Sequence, residues 1–195
     1  APAPAFAPAP VAAPSAPGQT EVGQRARQLR EEAQRLLNSV LARSNRIQQI
    51  RGEAVQHVQG YQSSVGAISA RLAVGTTAGN PILQQQWQQA NQQLDLIGGD
   101  VSRLNGMGGE IAGDSNAAQS ALQQVARTFS LPGAVEDDHR FLVNAEDDIN
   151  RAIVLNNRQR GEVSADASRL STYVARERPG LNQLANSIAT GQLAP

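Results

Sequence analysis

The chain has no cysteine, no lysine, 3% aromatic residues and no net charge. Each scarcity removes a class of function. Without cysteine there are no disulfides, no thiolate zinc sites and no thiol chemistry, and an oxidising compartment is tolerated. The 17 basic residues are all arginine, and 17 acidic residues spread along the chain balance them. Neither a nucleic acid nor an anionic membrane finds an electrostatic footprint in that pattern. One Trp, two Tyr and three Phe cannot fill a thick core or build a base-stacking surface. No run approaches the roughly 20 apolar residues that cross a bilayer. No basic segment followed by an apolar one marks an export signal, so the chain reads as either cytoplasmic or already processed.

What is present is periodicity. From 83 to 129 a 4-3-4-3 spacing connects Leu83, Trp87, Ala90, Leu94, Ile97, Val101, Leu104, Gly108, Ile111, Ser115, Ala118, Leu122, Val125 and Phe129. Such a seam predicts a long helix burying a narrow stripe against partner helices. An earlier seam runs Val22, Ala26, Leu29, Ala33, Leu36, Val40, Arg43, Ile47, Ile50, Ala54, then Val58, Tyr61, Val65, Ile68 and Leu72. The step from Ala54 to Val58 is a stutter, which relaxes a left-handed supercoil without ending the helix. A third seam runs Val135, His139, Leu142, Glu146, Ile149, Ile153, Asn156, Arg160, Val163, Ala167, Leu170 and Val174. It resumes at Leu181, Leu184 and Ile188, so a kinked helix continuing through Pro179 is expected.

Punctuation places the boundaries. Thr20 is a candidate N-cap, Gly75 to Gly79 a C-cap and loop, and Asn80-Pro81 an N-cap followed by an N1 proline. Leu131-Pro132-Gly133 breaks the second helix. The expectation is all-α: an elongated antiparallel three-helix coiled coil, up-down-up, over residues 20–190, with helices at about 20–74, 81–130 and 135–190. A bent, partly open bundle that forms a homo-oligomer is the alternative. Residues 1–19 are expected to form an Ala/Pro-rich disordered tail, a polyproline-like spacer of the kind found behind a removed export signal.

Two features carry candidate roles. Gly98, Gly99, Gly106, Gly108, Gly109 and Gly113 interrupt the second helix, where glycine costs about 0.5–1 kcal/mol relative to alanine. They either permit close helix approach or form a flexible hinge. Folding the chain about its two turns brings Arg43, Ser115, Glu146 and Asn156 to similar heights. They are either a buried polar layer that fixes register or side chains snorkelling at the bundle's edge. Metal binding is not expected: ligands on a helix need i, i+3 or i+4 spacing, and those positions from Asp138 are Phe141 and Leu142. His57, at the stutter, has Glu53 as its only acidic companion at helical spacing and reads as a packed or surface residue. No nucleophile elbow or zincin motif occurs, so neither an enzyme nor a cofactor is predicted.

The stretch from Ala67 through Val74-Gly75-Thr76-Thr77-Ala78-Gly79-Asn80-Pro81 to Trp87 resembles a known family, as do Gly133 to Arg140 and Glu146 to Arg151. These segments are similar to the helical N-terminal region of poorly characterised alphaproteobacterial cell-envelope proteins that carry an OmpA-like C-terminal module. The resemblance spans the chain from about Glu21 and rests on turn and cap residues. It implies export, a periplasmic or envelope location and protein partners, and it brings no active site. The expected function is a non-enzymatic coiled-coil spacer, tether or scaffold. The alternative is a partner-binding or chaperone-like module that opens at the glycines, and a granule-coat protein is a more distant reading.

Overall fold

The computed structural model describes residues 20–193; the tail expected over residues 1–19 lies outside them. Three helices make the molecule: α1 (Glu21–Val74), α2 (Pro81–Phe129) and α3 (Glu136–Thr190). At 1.5 Å per residue, the 55 residues of α3 extend about 80 Å. None of the described helices is long and apolar enough to cross a membrane.

Local chemistry sets the ends. The Thr20 hydroxyl accepts from the Gly23 amide at 2.9 Å, and the Asn80 side chain accepts from Ile82 at the same distance, with Pro81 opening α2. Asp138 caps α3 by accepting from the Val135 amide at 3.1 Å, where the helix dipole favours an anion. Between α2 and α3, Gly133 turns the chain at φ +92°, and the Phe129 ring stacks on His139 with centroids 5.6 Å apart. α3 continues through Pro179. This proline has no N–H to give the Ala175 carbonyl, but both residues face solvent, where water can take over.

Cross-helix bonds fix direction. From α1 to α2 the sequence separation falls along the rod: 71 for Arg43–Asp114, 64 for Arg46–Glu110, 50 for Glu53–Arg103 and 43 for His57–Asp100. Those helices are antiparallel. From α1 to α3 it stays near constant: 118 for Arg30–Asp148, 116 for Arg43–Gln159, 115 for Arg51–Asp166 and 116 for Tyr61–Glu177. Those are parallel, giving up-down-up.

Burial confirms α1's seam and shifts the other two. In α1 the expected residues are buried, except that Leu37 goes deeper than Leu36 and that Val58 and Val65 are half-buried. In α2 the column Leu83, Ala90, Ile97, Leu104, Ile111, Ala118 and Val125 holds. Its companion column is buried where expected at Leu94 and then sits one residue earlier than expected, on Asp100, Met107, Ala121 and Thr128. Gly108, expected on the seam, is exposed, and Met107 fills that level. α3 makes the same shift, to Asp138, Ala145, Ala152 and Gln159, leaving His139, Glu146 and Arg160 exposed. The reason is geometric. Each helix meets two neighbours, so its stripe is wider than a two-position seam, and the sequence alone does not say on which side it widens.

Candidate functional site

The middle of the rod holds the most unusual level. Apolar layers stand on both sides: Leu37, Val40 and Ala152 below, Ile47, Leu104, Met107, Ile111 and Val163 above. Between them all three helices contribute polar groups. Arg43 of α1 is 1% exposed and points inward. Its guanidinium donates to Asn156 at 3.0 Å, to Gln159 at 3.1 Å and to the Asp114 carboxylate. Asn156 donates in turn to the Ile111 carbonyl at 2.9 Å and the Ser115 hydroxyl at 2.8 Å. Gln159 reaches back to α1, donating to the Val40 carbonyl and the Ser44 hydroxyl, both at 2.8 Å. Arg160 adds a bond to Ser115 from the rim at 2.9 Å.

Three of the four residues expected in this layer come together: Arg43, Ser115 and Asn156. Glu146 does not; it is exposed, and Ala145 is the inward residue at its level. Ten residues along a helix are about 15 Å, too far for Glu146 to share a layer with Asn156. The pattern also missed Asp114 and Gln159. Gln159 lies three residues after Asn156, on the shifted α3 column, so it was hidden by the same one-residue error. Asp114 was obscured by Ser115 beside it: both are half-buried, and α2 presents the pair to α1 and α3 respectively.

The arrangement holds register. A buried guanidinium needs a carboxylate and several acceptors, and sliding any helix by one turn would strand it in an apolar layer. One atom remains unbonded, the Arg43 Nε, 3.9 Å from Glu110. The amide and hydroxyl groups of the layer are engaged with one another and with backbone carbonyls.

Along α2 the glycines run from Gly113, beside this level, to Gly98, about 24 Å along the helix from Asp114, and the structure removes one of their two readings. Gly99, Gly106, Gly108, Gly109 and Gly113 are exposed and Gly98 is half-buried. A Cβ placed on any of them would meet nothing within 4 Å. They do not admit a close helix approach. In α1, Gly60 has a cross-helix neighbour: an added Cβ would come 3.0 Å from Gln93.

A second polar group lies at the stutter. His57 Nδ1 is 2.6 Å from Asp100, a carboxylate only 2% exposed, and Arg103 approaches the same carboxylate at 3.5 Å while binding Glu53. The Arg103 hydrogen bond, helped by Gln49, holds the Glu53 carboxyl below its usual range. The helical-spacing argument found Glu53 near His57 but could not see Asp100, which comes from another helix. Nearer the α1–α2 turn, the Tyr61 phenol donates to Glu177 at 3.3 Å and meets Tyr173 edge-on at 6.1 Å. Burial and then the Glu177 charge push the Tyr61 phenol above its ordinary range.

Among the described residues no three His, Asp or Glu side chains group to hold a metal ion. Comparison with protein-family models, curated proteins and solved structures finds no match, so the chain's own geometry carries what can be said of its role.

Proposed function

We propose that the chain is a non-enzymatic, exported coiled-coil rod that spaces, tethers or scaffolds components of a bacterial cell envelope, with protein partners on its faces. The observation that supports this reading is that one chain satisfies its three long seams itself, in successive layers from Val22 to Ile188. A thin, self-sufficient rod presents length and side faces; its ends and register are set by internal bonds. The resemblance of its turn and cap segments to envelope proteins points the same way. In cells lacking the protein, an unrelated three-helix rod of equal length, placed between the same flanking sequences, should restore envelope integrity, and a shortened one should restore less. Restoration that depends on this bundle's own surface and not on length would overturn the spacer reading.

A second reading has its own supporting observation. The α2 glycines weaken the helix without serving packing, and Gly113 adjoins a polar layer that apolar burial does not hold. A partner-binding module opening there would exchange its amides quickly over residues 98–113 in the folded state. Slow exchange in that stretch would end it.

A further inference from the structure

A cavity of about 530 Å³ opens between α1 and α3 at the stutter, with Leu104 of α2 in its lining. Its size falls within the range of small-molecule pockets. The sequence explains the gap. The stutter turns α1's seam, so that Ala54 faces in and the next inward residues, His57 and Val58, are only half-buried. α3 offers Ala167 at the neighbouring position of its buried column. Adjacent levels are filled by Ile50 and Val163 on one side and Tyr61 and Leu181 on the other. The walls are Ile50, Val55, Val58 and Leu170, with Val55 forming a lip that is 55% exposed.

Charge gathers on one side of this apolar gap. Asp166 accepts from Arg51 at 2.5 Å and from Arg169. Arg51 is also 3.8 Å from Glu162, which accepts from Arg158 at 2.9 Å. Of the charged side chains that line the gap, Arg51 and Arg169 are positive and Asp166 is negative, so the lining carries one surplus positive charge. Arg169 has Asp166 as its one carboxylate partner and a side chain that is 74% exposed, which leaves it donors for a ligand, whereas Arg51 is drawn to Glu162 as well and Arg158 lies outside the lining.

We infer that this gap is a binding site for a single-chain aliphatic carboxylate, its chain between Ile50, Val58 and Leu170 and its headgroup on Arg169. The two parts answer separate features. The chain occupies apolar volume that the protein leaves unfilled. The carboxylate matches the surplus charge and the planar fork of a guanidinium. A cationic amphiphile would face that surplus with the wrong sign. Because Arg169 is exposed, water and salt screen its contribution: the chain supplies most of the affinity and the charge selects the headgroup.

Decanoate is the probe, used below its micellar range, with decanol as the neutral comparison. Decanoate should bind saturably to the whole chain and shift the methyl resonances of Val55, Val58 and Leu170. Ala54→Leu grows a side chain into the gap and should weaken both ligands by about tenfold or more. Val55→Gln, at an exposed position that leaves folding intact, should weaken both as well. Arg169→Gln should weaken decanoate by about threefold and leave decanol unchanged. Absence of a saturable site, methyl shifts centred elsewhere, or undiminished binding in Val55→Gln would overturn the site. Equal effects of Arg169→Gln on the two ligands would overturn the carboxylate assignment.

Discussion

The turn end of the rod and its middle are held together by different means. At the turn end, the loop between α1 and α2 is clasped to the end of α3. The Thr76 amide donates to the Gly191 carbonyl at 3.0 Å and the Gly79 amide to Ile188 at 2.8 Å. Gly191 has φ +79°, and a Cβ there would come 2.3 Å from the Thr76 carbonyl oxygen, so only glycine fits. The core behind the clasp is apolar: Leu94 and Ile97 are fully buried, and Trp87 donates from its indole to the Leu181 carbonyl at 2.7 Å. The middle replaces such side chains with Arg43, Asn156 and Gln159, with the exposed Gly113 next to Asp114. The contrast separates stability from specificity. Apolar burial supplies cohesion but tolerates slippage, whereas a bonded polar layer supplies less cohesion and penalises slippage strongly.

The largest expected effect tests the apolar end. Leu94→Asp places an unpaired charge at a fully buried position and should cost more than about 4 kcal/mol, enough to unfold or aggregate the chain in a urea melt. Next comes the middle. Arg43→Ala strands the Asp114 carboxylate and two amides, and should cost about 3–5 kcal/mol by the same measurement. Replacing Arg43, Asn156 and Gln159 by leucine together with Asp114 by alanine should leave stability equal or higher while the chain loses its single register, seen as mixed oligomers in sedimentation. A quadruple variant that stays uniquely monomeric would break the proposed division of labour.

The glycines should move stability in the opposite direction. Converting Gly98, Gly99, Gly106 and Gly113 to alanine adds methyls into open space, so the variant should gain about 0.5–1 kcal/mol per site. Amide exchange over residues 98–113 should slow with it. A loss of stability would mean that the glycines serve a contact after all. Trp87→Phe removes one hydrogen bond at the turn end and should cost about 1 kcal/mol. The smallest effect is the control: Gln92→Ala, on α2's exposed face, should change stability by less than about 0.5 kcal/mol.

How much the sequence revealed follows from the range of each signal. Helix ends are local, because Thr20, Asn80-Pro81 and Gly133 act on their own backbone within a few residues, and they could be read directly. The central buried columns were readable for a similar reason: a sustained seven-residue repeat has one apolar direction. The cross-helix partners were not. Asp100 looks like a surface acid until His57 and Arg103 surround it, and Met107 and Gly108 compete for one level that only the neighbouring helices can award.

The sequence by itself therefore determined three long helices, their turns and the inward direction of α1, since capping, backbone restriction and periodicity act along one chain segment. Tertiary structure decided which side of α2 and α3 widened inward, and it excluded Glu146 from the polar layer while admitting Asp114 and Gln159. It also freed the glycines from any packing duty and opened the gap beside Ala54. Those outcomes depend on which atoms of a second and third helix lie within a few ångströms, a distance that spacing along one strand does not encode.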